Sequence, residues 1–159
     1  MSKPLDQVPS RVAWPTIIYL AAIIGAIILS YAVPLPWFGA PLSHILFAAG
    51  WILAAAAMLL WVGSLRALRR AKTTIMPTKG ASHLVTSGPY AFSRNPIYLG
   101  NTVMMLAIGM IAGQPWFFLF GLIAGFTTQK LAIEPEERHL ALRFGKKYRD
   151  YQKRVRRWF

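Results

Sequence analysis

Cysteine is absent from the 159 residues, which excludes a disulfide framework, a thiolate metal site and a thiol nucleophile. Acidic residues are scarce too: five Asp and Glu stand against 18 Lys and Arg, for a formal charge of +13. Three histidines, His44, His83 and His139, are scattered without metal-ligand spacing, and only His139 has close acidic neighbours, so no metal is expected. Charge of either sign is missing from long stretches. With 55% hydrophobic residues and a mean hydropathy of +0.42, the chain is too apolar for an ordinary soluble domain, and its length suits a single domain, 1–159.

A charge of this size suits nucleic acid in principle, but its placement argues against that partner. The basic residues fall into three groups: Lys3 with Arg11, six from Arg66 to Arg94, and ten from Lys130 to Arg157. Between them lie uncharged runs. Residues 14–33 match the hydrocarbon thickness of a bilayer, about 30 Å at 1.5 Å per residue. The run ends in Pro34-Leu35-Pro36-Trp37 with no small-residue cleavage site, so it is expected to stay as a spanning helix. Residues 43–64 form a second span, whose four alanines at 54–57 allow a neighbouring helix to approach closely. Residues 97–113 and 115–130 form a third and a fourth, joined as a tight hairpin through Gly113-Gln114-Pro115, with Lys130 free to snorkel.

The expected fold class is all-α: a polytopic membrane protein with four transmembrane helices plus a C-terminal amphipathic basic helix. Four crossings put both termini and the middle loop on one side of the lipid bilayer, with every basic residue, and the positive-inside rule makes that side cytoplasmic. Trp14, Trp37, Trp51, Trp61 and Trp116 read as interfacial anchors near span ends. Beyond the fourth span, Leu140, Phe144, Tyr148, Tyr151, Val155 and Trp158 recur at helical spacing opposite a basic face, which predicts one helix lying on anionic headgroups.

Two polar clusters have no obvious structural duty. One runs from Ser82 and His83 through Gly88-Pro89-Tyr90 to Arg94-Asn95-Pro96-Ile97-Tyr98; at minimum, its Gly-Pro and Asn-Pro steps end one element and start the next. The other, Glu134-Pro135-Glu136-Glu137, holds three of the five acids, and its plainest explanation is the first turn of a helix, where acids favour the macrodipole. Yet carboxylates at the inner end of the fourth span, meeting Arg94 and Tyr98, are also placed to face a cavity and take an ammonium or ribose hydroxyls.

These residues carry a resemblance. Leu84-Val85-Thr86-Ser87-Gly88-Pro89-Tyr90, Arg94-Asn95-Pro96-Ile97-Tyr98-Leu99-Gly100, and Glu136-Glu137 followed by Leu140, Phe144-Gly145, Tyr148, Tyr151 and Val155 occur in order over residues 72–159. The pattern resembles the membrane methyltransferases related to isoprenylcysteine carboxyl methyltransferase and the phospholipid N-methyltransferases. It departs from the prenylcysteine enzymes at Ala132, where those have a substrate-binding Arg, and at Asn95, where they have His.

The resemblance implies a transferase that uses S-adenosylmethionine, admitted from the cytoplasm, on a lipophilic or small acceptor. By the same resemblance Ser82, His83, Leu84, Val85 and Tyr90 form one wall of the cofactor site, Asn95, Pro96, Ile97 and Tyr98 another, and Glu136 binds the cofactor. Arg94 and Glu137 are the expected catalytic pair, Arg94 because a guanidinium suits a carboxylate. Methyl transfer from a sulfonium needs alignment and a dry site more than a strong base. Two other classes stay open on sequence alone: a nicotinamide-dependent membrane lipid reductase, similar over this C-terminal half, and a non-catalytic adaptor using the basic tail.

Overall fold

The computed structural model describes residues 13–72 and 83–159; Ser82 and the basic residues Lys3, Arg11 and Lys79 lie outside them. Six α-helices account for most of the described chain: α1 (Trp14–Ala32), α2 (Leu42–Arg70), α3 (Pro96–Ala112), α4 (Trp116–Thr128), α5 (Glu134–Phe144) and α6 (Lys146–Arg154). Among the described residues there is no strand. Three helical stretches are long and apolar enough to cross a membrane: α1, α2 and the continuous rod Trp116–Phe144, while α3 is a shorter apolar helix.

Helices begin and end where the local chemistry places them. Pro15 and Pro96 sit in the first turns of α1 and α3, where a missing N–H costs nothing. Gly113 adopts φ +65° and caps α3, a conformation that releases the chain into the turn before α4. The expected hairpin is therefore present. The second apolar helix runs six residues further than expected, to Arg70, because Leu65 to Arg70 continue the helix with a basic outer end.

The fourth helix also runs past its expected end. Glu134 donates its backbone N–H to Gln129 O, five residues back, and residues Gln129–Ile133 form a π-helical turn that leads straight into α5. The wider turn accommodates Pro135, which has no N–H to give and whose ring crowds a regular α-turn. The acidic cluster thus lies inside a continuous rod, not at a free helix start, so dipole capping does not account for it. Lys130 does not reach outward alone; its Nζ donates to Glu134 Oε1 at 2.8 Å.

Close approach, not bulk, joins the helices. Ala26, Ala57 and Ala107 are fully buried, while Ile17, Leu20, Ile28, Ile52, Leu59, Leu122 and Phe126 are more than half exposed. An exterior greasier than the interior is the arrangement of a protein dissolved in lipid. A Cβ on Gly50 of α2 would meet Ile111 Cγ1 at 2.8 Å and Met110 Cβ at 3.0 Å. α1 packs mainly on α4 and α2 on α3, with Tyr19, Ala22, Ala26, Met105, Phe117 and Ala124 forming one buried cluster.

The tail forms two helices where one was expected. Gly145, at φ +53°, breaks the rod between α5 and α6, and Val155 leaves α6 extended. The apolar stripe does not face headgroups: Tyr148, Tyr151 and Val155 are buried and pack with Leu84, Leu140 and Phe144. Beyond it, Arg156 pairs with Ser93 in a parallel bridge, with Arg94 N donating to Arg156 O at 3.0 Å. The chain end is tied across the loop that enters α3.

Candidate active site

A cavity of about 670 Å³ opens between α1, α2, α3, α5, α6 and the loop before α3. Eleven of the twelve residues singled out from sequence line it: His83, Leu84, Val85, Tyr90, Arg94, Asn95, Pro96, Ile97, Tyr98, Glu136 and Glu137; the twelfth, Ser82, lies outside the described residues. Residues some forty positions apart meet because the α3–α4 hairpin returns the chain to the level from which it left.

The two adjacent carboxylates have different surroundings. Glu137 is buried and receives three guanidinium contacts: Arg94 Nη2 at 3.0 Å from Oε1, Arg157 Nε at 3.2 Å from Oε1 and Arg157 Nη2 at 2.8 Å from Oε2. Bidentate pairing of this kind is the strong form of ion pairing, and its hydrogen bond to Glu137 holds the Arg157 guanidinium above its ordinary pKa. Glu136 faces the cavity with one long hydrogen bond, accepted from Tyr98 Oη at 3.4 Å. It is the carboxylate with capacity left for a ligand.

Arg94 supplies the opposite charge. Its side chain is 11% exposed, it lines the cavity, and its buried Nε has no hydrogen-bond partner. An unsatisfied guanidinium N–H costs free energy until an acceptor arrives. The cavity is therefore lined by a lone-pair-rich carboxylate and a cationic side chain, the complement of a zwitterion.

Other expected residues hold the walls. Asn95 donates through Nδ2 to Arg157 O at 3.1 Å, so its amide is engaged in structure. Tyr90 sits in a 3-10 turn, Gly88–Ala91, and its carbonyl accepts from Tyr151 Oη at 2.6 Å. Burial, reinforced by the negative charge of Glu136, pushes the Tyr90 hydroxyl well above the usual tyrosine range. Tyr148 is raised by burial and by Glu137, and Tyr151 by burial to about 12. These rings stay neutral and present apolar faces and hydroxyl donors. Among the described residues no group of three His, Asp or Glu side chains is placed to hold a metal.

Several lining residues were not expected. Trp61, read as an interfacial anchor, instead walls the cavity and donates from Nε1 to Asn101 Oδ1 at 3.0 Å. Tyr19 of α1 reaches in with its hydroxyl 2.6 Å from Thr102 Oγ1 and donates to Tyr98 O at 3.2 Å. Leu20, Ile23, Met104 and Ile108 also line the cavity, a purely apolar stretch that reaches the exterior at Leu20. One end is polar and charged; the other is suited to a hydrocarbon chain.

Comparison with curated proteins finds no match. The family model described as phospholipid methyltransferase matches residues 45–147, more than half of the chain, from the first turn of α2 to the start of α6. The charged cavity at the end of an apolar bundle and this match agree, and the chain belongs to the phospholipid methyltransferase family of membrane methyltransferases.

Proposed function

We propose that the protein transfers the methyl group of S-adenosylmethionine to a lipophilic acceptor drawn from the bilayer. In this reading the shorter apolar helix α3 also crosses, as the third of four spans, and the basic end of the bundle, with both termini, faces the cytoplasm. The observation that carries the reading is the split of the acidic pair. Glu137 is consumed by two arginines, whereas Glu136 lines the cavity with spare lone pairs, and the Arg94 side chain lines the same cavity.

The site fits such a cofactor by its donor set. Glu136 takes the ammonium or the ribose hydroxyls, and Arg94 takes the amino-acid carboxylate, each through charge-assisted hydrogen bonds. Tyr90, Tyr98 and Ile97 enclose the nucleoside with Leu84, Val85 and His83 at the mouth. When bound, the cofactor supplies an activated methyl on a sulfonium. The protein contributes alignment and the exclusion of water, with Tyr148, Tyr151 and Leu140 walling the cavity. Leu20, Ile23, Met104 and Ile108 guide the acceptor's hydrocarbon so that its polar end meets the charged end of the cavity.

Titration of the purified protein with S-adenosylmethionine by calorimetry tests the reading. Wild type binds, and Glu136→Ala loses binding while its thermal unfolding stays cooperative. Binding retained in Glu136→Ala overturns the assigned site, and binding of a nicotinamide dinucleotide in place of S-adenosylmethionine overturns the class.

A further inference from the structure

Arg157 lies outside the segment matched to the family and outside the lining of the cavity. Its backbone and side chain nevertheless both take part in a polar knot. Its backbone carbonyl accepts from Ser93 Oγ at 3.2 Å and from Asn95 Nδ2 at 3.1 Å, the two residues that flank Arg94. Next to it, Trp158 Nε1 donates to Gln129 Oε1 at 2.8 Å, which fastens the tail to the π-turn below Glu137. Tail, loop and rod are thereby held in one register.

The side chain of Arg157 then decides how Glu137 is used. Both guanidinium groups converge on the one Glu137 carboxylate, and Arg157 also reaches Glu134, with Nη1 3.8 Å from Oε1. Arg157 takes both oxygens of Glu137, at 3.2 and 2.8 Å, so Arg94 keeps a single contact at 3.0 Å, its side chain lines the cavity, and its buried Nε is without a partner. Without Arg157, Glu137 is free to turn and pair with Arg94 in the bidentate geometry that carboxylates and guanidinium groups prefer. Arg94 would then be neutralised and drawn away from the ligand.

We infer that Arg157 is a positioning residue: by holding Glu137 it keeps Arg94 open as the receptor for the carboxylate of the cofactor's amino-acid arm. The inference rests on the methyltransferase reading and adds a residue to it. It predicts a selective defect. Arg157 acts on the carboxylate alone, so a ligand without that group should not register its loss.

The test compares S-adenosylmethionine with its decarboxylated form, which keeps the ammonium, sulfonium and nucleoside, by calorimetric titration of the full chain. Arg157→Ala weakens S-adenosylmethionine about tenfold, the scale on which loss of a side chain that orients a binding group acts, and leaves the decarboxylated ligand within about twofold. Arg157→Lys, which keeps the charge but cannot bridge both oxygens, falls between. Trp158→Phe loosens the same tail without touching Glu137 and leaves both affinities unchanged. Equal weakening of both ligands by Arg157→Ala, or no weakening of either, overturns the inference. If an Arg157→Ala preparation does not fold, the Arg157→Lys comparison decides by the same criterion. Wild type binding neither ligand removes the methyltransferase reading itself, a result distinct from either.

Discussion

The knot around Glu137 and the cavity wall at Glu136 are one residue apart in sequence and opposite in state. In the knot, the carboxylate has more donors than it needs, and the backbone carbonyl of Arg157 is doubly engaged. On the wall, the Glu136 carboxylate has one long contact. A helix turns about 100° per residue, so neighbouring side chains face different surroundings. The difference teaches how to divide an acidic pair: polar groups satisfied within the chain maintain the fold, and those left unsatisfied await a ligand.

The largest expected effect breaks that comparison directly. Glu137→Ala leaves Arg94 and Arg157 facing each other in a buried site, and removal of one partner from such a cluster costs about 3–5 kcal/mol. Glu136→Ala removes a half-buried carboxylate with no cationic partner among the described residues, so stability falls by less than about 1 kcal/mol or rises. Thermal unfolding of both variants in detergent, read by circular dichroism, measures the contrast. Equal losses would show that the two carboxylates share one role.

A second test sharpens the comparison on the apolar side of the wall. At Gly100, an added Cβ would meet Trp61 Nε1 at 2.7 Å and Cδ1 at 2.8 Å, with Ala57 O behind it at 3.4 Å. Gly100→Val therefore forces Trp61 from its hydrogen bond to Asn101, and overpacking of this kind costs about 1–3 kcal/mol. Leu59→Ala, at a lipid-facing position 73% exposed, is expected to change little. Unfolding midpoints together with tryptophan emission follow both; an unshifted emission in Gly100→Val would mean that Trp61 is not confined.

Much of this architecture was legible, for identifiable reasons. Long uncharged runs located α1, α2 and the α3–α4 hairpin, and the Leu84 to Tyr98 segment and the Glu pair drew notice because few polar groups border the apolar spans. Trp61 and Tyr19 were not legible as cavity residues, because an amphipathic ring inside an apolar run looks the same whether it faces headgroups or a pocket. Arg157 was hidden among ten basic residues, with no local feature to tell the half-buried one paired with Glu137 from those on the surface. The break at Gly145 was masked by its own packing. α5 and α6 both turn apolar side chains inward, so the helical spacing continues across the glycine although the helix does not. Pro135 misled for a related reason: a proline after an apolar run signals a new helix, and only the π-turn lets the old one continue.

The smallest effect concerns the hydroxyl that fastens α6 to the loop. Tyr151 Oη donates to Tyr90 O at 2.6 Å, and Tyr151→Phe removes that bond for about 1 kcal/mol. Its pH dependence has a definite sign. Burial raises Tyr151 from 10.0 to about 12, so between those values the unfolded chain loses the proton while the folded chain keeps it. The unfolded state then binds fewer protons, and stability, fully present below pH 10, falls as pH rises toward 12. Tyr90 and Tyr148 are raised by burial as well and act in the same direction, so the loss in wild type is shared among three rings. Tyr151→Phe starts less stable at neutral pH and declines less steeply above pH 10. Parallel curves for the two proteins across that range would mean that this hydroxyl is not held out of water, and that the tail is less firmly closed over the cavity than its hydrogen bonds imply.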